Sequence, residues 1–293
     1  MSEQYLLKDR QEALALQVGE RSDDGEDIPP LAEETLLAPG YRVVSHLHRT
    51  SLFDVYEAWS QERQCSCVTK VLRADYRDDP VEQRRLRREG RLLRRLAHPH
   101  IVRAYEMLED PMPILILETL PGATLEALIE ESRRRFDFAD LVLLGLHISS
   151  AVYYLHRQGL LHLDLKPSNL ISTYGFVRML DLSLARPPGR YHRGIGTPLY
   201  MAPEQARGGL LTGAADVWGI GMVLFEAATG IQPFDEYGER MKYPQLEYRV
   251  PSIRAHRRVP LPFAHALDRC LDPDPAGRPA VMELVTLFRD LAR

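Results

Sequence analysis

A change in hydrophobic pattern near Gly122 constrains the fold of this 293-residue chain more than any other feature. Upstream of it, short runs with β-branched and aromatic residues alternate with polar turns, at 41–44, 54–58, 65–72, 102–107 and 114–117. Downstream, longer apolar segments follow, at 138–157, 215–229, 262–271 and 281–291. The pattern predicts an α+β protein in which a small antiparallel β-sheet lobe precedes a larger, mainly helical lobe. We expect the functional site in the crevice between them.

One helix is predicted within the strand-rich half. Val81, Leu86 and Leu93 fall on one face, and the helix ends before Pro99, because proline disfavours a helical conformation in the residue before it. The rest of its surface carries arginines at positions 84, 85, 87, 88, 91, 94 and 95. Such a stripe usually marks a solvent-exposed face. The alternative is a surface over 84–95 that binds an acidic partner or nucleic acid.

The overall charge gives no general attraction to anionic polymers. Lysine plus arginine number 37 against 41 acidic residues, a formal net charge of -4. A membrane span needs about 18 consecutive apolar residues, and the sequence has no such run. We therefore expect no membrane partner and no nucleic-acid partner.

Residues 1–39 are predicted to form an acidic, disordered extension ahead of a folded domain over 40–293. The run 21–27 is strongly acidic and precedes two prolines, so it cannot bury enough apolar surface to fold by itself. The cysteine content is low, with Cys65, Cys67 and Cys270 only, and fits a reducing compartment better than a disulfide framework. These features predict a soluble, cytoplasmic protein.

The most specific motif follows the helix predicted over 138–157. It reads His162-Leu163-Asp164-Leu165-Lys166-Pro167-Ser168-Asn169. The carboxylate of Asp164 can orient an acceptor hydroxyl, and the amide oxygen of Asn169 lies close enough in sequence to share a metal ion with it. This string resembles the catalytic loop of protein kinases.

The resemblance to protein kinases extends over about residues 41–290, with the motifs in the family's order. It implies a bilobal protein kinase fold with an N-lobe over 40–117, a hinge over 118–122 and a C-lobe over 123–293. It also implies that ATP, as its Mg²⁺ complex, is the phosphoryl donor and that a protein is the acceptor. In the family's catalytic loop, the positions of Asp164 and Lys166 orient the hydroxyl and neutralise charge on the γ-phosphoryl group.

The nucleotide site follows from the same resemblance. Asn169 and Asp181 occupy the positions of metal ligands, while Lys70, held by Glu89, would bind the α- and β-phosphates. Hinge backbone from Glu118 to Leu120 would bind adenine. The residues expected around the nucleotide are Leu47, Val55, Val68, Lys70, Glu89, Glu118, Leu120, Asn169, Ile171 and Asp181.

Two features resemble the Ser/Thr-directed branch of the family. Lys166 lies two residues after Asp164, and Thr197 precedes Pro198. The segment from Gly196 to Glu204 resembles the family's peptide-docking segment, and Glu204 is expected to form a buried ion pair with Arg278. The expected acceptor is therefore a serine or threonine of a protein.

The hairpin over the phosphates departs from the family pattern. His48, Thr50 and Phe53 stand at its three glycine positions, where glycine lets backbone amides approach phosphate. We expect the side chains to hold this hairpin farther from the nucleotide or in another conformation. His48 and Arg49 could replace amide contacts by direct charge, or the segment could be an ordinary polar turn. Restoring all three glycines is expected to raise activity.

Further departures concern the walls of the site. Val68 stands where alanine is usual and narrows the adenine slot, and Leu182-Ser183 replaces Phe-Gly after Asp181. Leu163 replaces the arginine that normally receives a phosphate on the activation segment. The sequence therefore supports an active Ser/Thr protein kinase, with a pseudokinase that binds nucleotide or acts as a scaffold as the alternative.

Overall fold

The structure is a computed structural model that describes residues 28–132, 136–238 and 240–293. In these ranges the chain forms the strand-rich and helical lobes expected from the sequence. The N-lobe sheet is antiparallel, with the strand order β1-β2-β3-β4-β6-β5. Its strands are β1 (Leu36–Ala38), β2 (Tyr41–Arg49), β3 (Phe53–Ser60), β4 (Cys65–Leu72), β5 (Ala104–Leu108) and β6 (Ile114–Glu118).

Helix α1 (Pro80–Arg95) packs against one face of this sheet. Asp79 caps its N-terminus by accepting a hydrogen bond from the Val81 amide at 2.7 Å, and Pro80 suits the first helical position. The buried face includes Leu86 and Leu93. Gly90 has a packing reason, because a Cβ there would lie 2.8 Å from Met107 Sδ. The helix therefore approaches β5 more closely than any larger residue would allow.

Part of the predicted N-terminal extension belongs to the folded domain. Residues 36–38 form β1, with Leu37 and Ala38 buried, and Leu31 packs against the apolar cluster on the outer face of the sheet. The predicted boundary at residue 39 is therefore wrong for residues 28–39. Burial of Leu31 and Leu37 against the sheet stabilises a segment whose own composition predicts disorder. Residues 1–27 lie outside the described residues.

The C-lobe is mainly helical. Its helices are α2 (Leu125–Ser132), α3 (Phe138–Arg157), α4 (Pro203–Arg207), α5 (Gly213–Thr229), α6 (Asp235–Gly238), α7 (Leu261–Cys270) and α8 (Val281–Leu291). Short 3₁₀ turns occupy Ala74–Tyr76, Pro167–Asn169, Pro244–Leu246, Ile253–Ala255 and Pro275–Gly277.

Helices α3 and α5 form the centre of this lobe. By length and composition α3 is the one helix among the described residues that could cross a membrane, but 50% of its apolar window is buried inside the protein. It packs against α5 and α8, and every residue of α5 from Ala215 to Thr229 is buried. In this structure α3 is a core helix.

Two small antiparallel sheets lie beside the cleft. One joins β7 (Ala123–Thr124), β8 (Leu170–Thr173) and β9 (Phe176–Met179), and the other joins β10 (Gly189–Tyr191) and β11 (Gly209–Leu211). Because β8 and β9 are antiparallel neighbours, the start of one meets the end of the other. The residues before β8 and after β9, which include Asn169 and Asp181, are therefore brought together.

Candidate active site

Three charged side chains from different elements meet at the back of the cleft. Lys70 comes from β4, Glu89 from α1 and Asp181 from the loop after β9. Lys70 Nζ lies 3.0 Å from Glu89 Oε2 and 3.0 Å from Asp181 Oδ2. The ion pair expected between Lys70 and Glu89 is therefore present, and Asp181 joins it.

The charges in this cluster are set by burial and by one another. Burial by itself would lower the pKa of Lys70, but the two adjacent carboxylates raise it overall, so the ammonium stays charged. Burial and the Asp181 charge raise the pKa of Glu89 to about 7. Burial would also raise the pKa of Asp181, but Lys70 and the Ser183 amide lower it overall. Asp181 is therefore the carboxylate of the cluster that remains ionised.

Asp164 is held by hydrogen bonds from Thr197 and Asn169. Its Oδ1 accepts hydrogen bonds from Thr197 Oγ1 at 2.7 Å and from the Thr197 amide at 2.9 Å. Its Oδ2 accepts one from Asn169 Nδ2 at 3.2 Å. The carboxylate is fixed between the catalytic loop and the segment expected to dock the acceptor peptide. Asp164 is half-buried, so solvent still reaches it.

The backbone of the catalytic loop is anchored by Asp216, in the first turn of α5. Its carboxylate accepts hydrogen bonds from the amides of His162 at 2.9 Å and Leu163 at 2.8 Å, and from His156 Nε2 at 2.8 Å. Leu163 has a φ of 67°, an unusual conformation for a residue other than glycine. Gln205 holds its carbonyl with a hydrogen bond of 2.8 Å. Local sequence patterns gave no signal for this contact, because it spans more than 50 residues of sequence.

The donor groups at this site suit a hard divalent cation. Asn169 Nδ2 donates to the Asp164 carbonyl as well as to its carboxylate, at 2.9 and 3.2 Å, so Asn169 Oδ1 remains the group that can bind a metal. Asp181 supplies an ionised carboxylate, and both residues line the same cavity. One carboxylate and one amide oxygen, with room for water, fit magnesium bound together with a phosphate ligand.

The cavity in the cleft gathers nearly all the residues expected around a nucleotide. Those that line it are Val55, Val68, Lys70, Glu89, Glu118, Leu120, Asn169, Ile171 and Asp181. Additional lining residues that sequence reasoning did not assign to the pocket are Val102, Leu117, Ser168 and Leu180. They lie next in sequence to assigned residues or at the entrance to β5, but their inward direction depends on how the two lobes pack.

Leu47 is the exception among the predicted nucleotide contacts. It is buried but does not line the cavity, whereas the next residue, His48, does. The strand pairing joins His46 to Tyr56 and His48 to Val55, so Leu47 is the extra residue of a β-bulge. The bulge turns His48 toward the pocket together with Val55. The structure therefore places His48, not Leu47, at the cavity wall, and a contact of Leu47 with nucleotide stays a prediction.

The hairpin between β2 and β3 is a tight turn closed by Thr50. Thr50 Oγ1 accepts hydrogen bonds from the amides of Leu52 at 3.2 Å and Phe53 at 2.8 Å, and the Thr50 amide donates to the Phe53 carbonyl at 2.8 Å. A threonine hydroxyl that binds nearby amides is a known local alternative to other backbone pairing. The amides expected to face phosphate are therefore occupied within the hairpin.

Phe53 occupies the position of the third glycine. Its side chain is buried in the main core, and its ring centroid lies 4.6 Å from Lys70 Nζ. A cation at this distance from an aromatic face is attracted to it. Through Phe53 the hairpin contacts Lys70. The sequence signal for this burial was a large apolar residue at the start of an alternating strand, where a glycine is usual.

The structure separates the two cationic candidates in the hairpin. Arg49 Nε and Nη2 donate to the Asp54 carboxylate at 2.8 and 3.1 Å. His48 lines the cavity, and its Nε2 is buried with no hydrogen-bond partner among the described residues. Burial and the neighbouring His46 lower the pKa of His48 to about 4, so its ring is neutral near pH 7. Thus Arg49 is engaged by Asp54, and His48 faces the pocket without a charge.

The docking segment is tied to the helical lobe by the predicted ion pair. Arg278 Nη1 and Nη2 donate to Glu204 Oε1 and Oε2 at 2.7 and 2.9 Å. The Arg278 side chain is fully buried, and its guanidinium lies 5.2 Å from the Trp218 ring centroid. A bidentate pair of this kind fixes both position and orientation.

Comparisons with known proteins agree with this fold. The family model described as the protein kinase domain matches residues 41–287. The chain is 34% identical to the serine/threonine-protein kinase PkaA of Streptomyces coelicolor over 76% of this chain and 42% of the relative. It is 31% identical to PknK of Mycobacterium tuberculosis, a serine/threonine-protein kinase, over 87% of this chain and 24% of that protein. It is also 31% identical to the serine/threonine-protein kinase PrkC of Bacillus subtilis, over 73% of this chain and 34% of that protein.

Solved structures give the same fold. The crystal structure of the kinase domain of Mycobacterium tuberculosis PknI superposes with a TM-score of 0.70 at 25% sequence identity, covering 89% of this chain and 99% of that one. A two-lobed α+β fold with a Lys-Glu pair and a catalytic-loop aspartate in its cleft defines a phosphotransferase class. The chain belongs to the protein kinase family. It spans less than half the length of the curated relatives named above.

Proposed function

We propose that this chain is a Ser/Thr protein kinase that transfers the γ-phosphoryl group of ATP, as its Mg²⁺ complex, to a protein hydroxyl. The observation that carries the proposal is the Asp164 carboxylate, fixed by Thr197 and Asn169, in one cleft with the Lys70–Glu89–Asp181 cluster. Phosphoryl transfer needs positioning and charge stabilisation more than covalent chemistry from the protein. These two groups of residues supply both.

Four residues of the cleft have distinct roles in the transfer. Asp164 orients the acceptor hydroxyl and takes its proton as the new oxygen–phosphorus bond forms and the bond between the β- and γ-phosphoryl groups breaks, which releases ADP. Lys166 neutralises charge on the phosphoryl group in flight. Lys70, held by Glu89, binds the α- and β-phosphates of the donor.

Members of this family use ATP with a divalent cation, and Mg²⁺ is the ion that this site's oxygen donors favour. When bound, the ion neutralises charge on the β- and γ-phosphates. Asn169 Oδ1 and the Asp181 carboxylate are the groups that would hold it. Asp181 would hold the ion through the carboxylate that here contacts Lys70, and Lys70 would then be available to phosphate.

Several features support a serine or threonine acceptor, a cytoplasmic location and an acidic partner. Lys166 and Thr197 are typical of Ser/Thr-directed kinases, and Thr197 contacts Asp164 directly. The described cysteines are free thiols, which is compatible with the cytoplasmic location that we propose. We further propose that the arginine-rich helix over 84–95 binds an acidic protein segment rather than nucleic acid, through the arginines Arg84, Arg85 and Arg88 that line a groove.

A transfer assay tests the proposed function. Purified full chain would be incubated with radiolabelled ATP, Mg²⁺ and a mixture of protein substrates, with Asp164→Asn as the matched control. Phosphoserine and phosphothreonine after acid hydrolysis, dependent on Asp164, are the expected result. If transfer by the wild type equals that of Asp164→Asn while nucleotide still binds, the kinase proposal fails and the chain is a nucleotide-binding pseudokinase.

A further inference from the structure

A second groove lies between α1 and the segment that follows Ser183. Four arginines line it, namely Arg84, Arg85, Arg88 and Arg186. Within the described ranges its only lining carboxylate is that of Glu82. The groove therefore carries three positive charges in excess and is distinct from the nucleotide cavity.

The arginines of the groove are only partly neutralised by their neighbours. Arg85 lies 3.6 Å from Glu82, and Arg88 Nη2 donates to the Ser183 carbonyl at 2.5 Å, but Arg88 Nε is buried with no hydrogen-bond acceptor in the described part of the chain. Arg84 is exposed and has no hydrogen-bond or ion-pair partner among residues 28–132, 136–238 and 240–293. Burial and the charges of Arg88 and Arg85 lower the pKa of Arg186, which reflects repulsion among these groups.

The groove's own walls have little that could supply the missing negative charge. Between Leu184 and Gly196 the sequence has no serine, threonine, aspartate or glutamate, and Tyr191 is its only hydroxyl. The same segment adds further cations at Arg190 and Arg193. An anionic group in this groove must therefore come from another part of the chain or from another molecule.

The N-terminal segment of this chain can reach the groove. The Leu31 amide donates to Tyr56 Oη at 3.0 Å, and Tyr56 lies within electrostatic range of Arg77. Arg77 in turn accepts a hydrogen bond from Gln83 on α1 at 2.6 Å through its carbonyl. The chain therefore enters the folded domain near the N-terminal end of α1.

Length and charge both fit. Residues 23–27 carry four carboxylates and lie four to eight residues before Leu31. A fully extended chain of about 3.3–3.6 Å per residue places them at most roughly 13–29 Å from that anchor. Arg84 and Arg88 lie only about 6 and 12 Å along α1 from its start at Pro80.

We propose that residues 23–27 dock in the arginine groove of the same molecule, through the carboxylates of Asp23, Asp24, Glu26 and Asp27. Tethering gives these carboxylates an effective concentration that no free acidic peptide matches at ordinary concentrations. The contact neutralises Arg84, Arg85 and Arg186 and holds α1 against the segment after Ser183.

The docked segment supports the catalytic arrangement, and this part of the inference rests on the proposed kinase function. Arg88 binds the Ser183 carbonyl, and the Ser183 amide donates to Asp181 Oδ1 at 2.6 Å. The next residue on α1, Glu89, holds Lys70. Neutralising the groove therefore favours the α1 position in which Lys70 and Asp181 are correctly placed.

A zero-length crosslink tests the contact without reference to activity. A carbodiimide joins carboxylates to lysines but not to arginines, so Arg84→Lys in the full chain places a reporter in the groove while keeping its charge. Arg94→Lys is the matched control, since Arg94 is exposed on the same helix and does not line the groove. Peptides that join position 84 or 94 to residues 23–27 would be quantified by mass spectrometry in the monomer fraction.

We expect several-fold more crosslinked product from position 84 than from position 94, and suppression of it by high salt. Equal yields from the two positions, or no product from position 84, would overturn the proposal. Product found only in crosslinked dimers would also overturn it, because the carboxylates would then belong to a second copy.

Charge reversal tests the consequence. Arg84→Glu with Arg85→Glu is expected to lower kcat/KM several-fold and the Tm by a few degrees, whereas Arg91→Glu with Arg94→Glu leaves both unchanged. Changing Asp23 and Asp24 to lysine in the groove variant should restore much of the loss. Absence of transfer in every variant, with the crosslink intact, would refute the kinase function and leave the contact standing. If the two lysine changes do not restore activity, and Arg91→Glu with Arg94→Glu lowers activity as much as the groove variant does, the proposed contact is overturned.

Discussion

The floor and the roof of the active-site cleft differ in how far they depart from the family pattern. On the floor, Asp164, Asn169 and Asp181 keep the family's residue types, and the backbone below them is fixed by Asp216. On the roof, all three glycines of the β2–β3 hairpin are replaced, yet the hairpin is closed by Thr50 hydrogen bonds.

The difference reflects what each wall contributes. The floor supplies functional groups whose chemistry no other side chain reproduces, so its residue types leave little freedom. The roof contributes mainly backbone amides and shape, and a side chain can close a turn in place of glycine. The cleft is therefore complete in its chemical groups and altered in how it covers the phosphates. Five tests examine this contrast.

The largest expected effect is on the floor. Asp164→Asn should lower kcat by about 10²–10⁴-fold, the usual contribution of a positioned general base. Asparagine keeps an acceptor for Thr197 but places a donor opposite Asn169 Nδ2, so stability should fall by only about 1 kcal/mol. Labelled-ATP transfer and thermal melting of the two proteins would measure both. A Tm that falls in parallel with activity would instead mark Asp164 as a structural residue.

The second prediction separates two residues of the charged cluster. Lys70→Met and Asp181→Asn should both abolish most transfer, but only the lysine change leaves the buried Glu89 and the partly exposed Asp181 without a cation. Leaving a buried charge uncompensated costs on the order of 3–5 kcal/mol. We therefore expect a large drop in Tm for Lys70→Met and a small one for Asp181→Asn. Equal melting temperatures would contradict the burial of Lys70 between two carboxylates.

The same pair gives a pH dependence with a definite sign. The pKa of Glu89 is raised to about 7 in the folded protein, above its ordinary 4.5, so the folded state binds an extra proton between these values. The associated stability is present below pH 4.5 and is lost as the pH rises through 7. In Lys70→Met the pKa should rise further, and the Tm of this variant relative to wild type should fall more at pH 8 than at pH 5.5.

A smaller effect is expected on the roof. The structure changes the expectation for glycine replacement, because Phe53 is buried against Lys70 and its removal would leave a cavity costing about 3–5 kcal/mol. His48→Gly with Thr50→Gly, leaving Phe53 in place, frees the amides of Leu52 and Phe53 for phosphate. This pair should raise kcat/KM for ATP a few-fold.

Thr50→Ser is the matched control for the roof variant, since it keeps the hydroxyl that closes the turn. It should behave as wild type. A loss of activity on adding the glycines would show that His48 or Thr50 makes a productive contact with nucleotide, and the roof would then be specialised rather than weakened.

Phosphatase treatment is expected to leave phosphoryl transfer unchanged, the smallest effect of the series. Leu163 offers no cation to a phosphate on the segment after Asp181, and the only hydroxyls in that segment outside the motif positions are those of Tyr191 and Tyr200. Transfer should be unchanged after treatment, with the phosphate content checked by intact mass. Inactivation coupled to loss of a phosphate between residues 181 and 204 would show that the floor depends on modification.

Much of the catalytic floor could be predicted because its residues are close together in sequence. Asp164, Lys166 and Asn169 share one short loop, so residue type and spacing are enough to assign them. The predicted bounds of α3 (Phe138–Arg157) and α8 (Val281–Leu291) agree with the structure, because α3 is a long apolar segment followed by Gly159 and α8 has a clear apolar face. The short helix α2 and the strands β10 and β11 were not predicted, since so few residues give no readable period.

By itself, the sequence determined the two-lobed class, the order of the lobes and the identity of the chemical groups in the cleft. Tertiary structure alone decided that a β-bulge turns His48 rather than Leu47 into the pocket and that Phe53 lies over Lys70. It also brought Arg84 and Arg186, which are far apart in sequence, into one groove. Local spacing encodes side chains that act within one loop, whereas strand register and helix packing, set by burial over the whole domain, decide which distant residues meet.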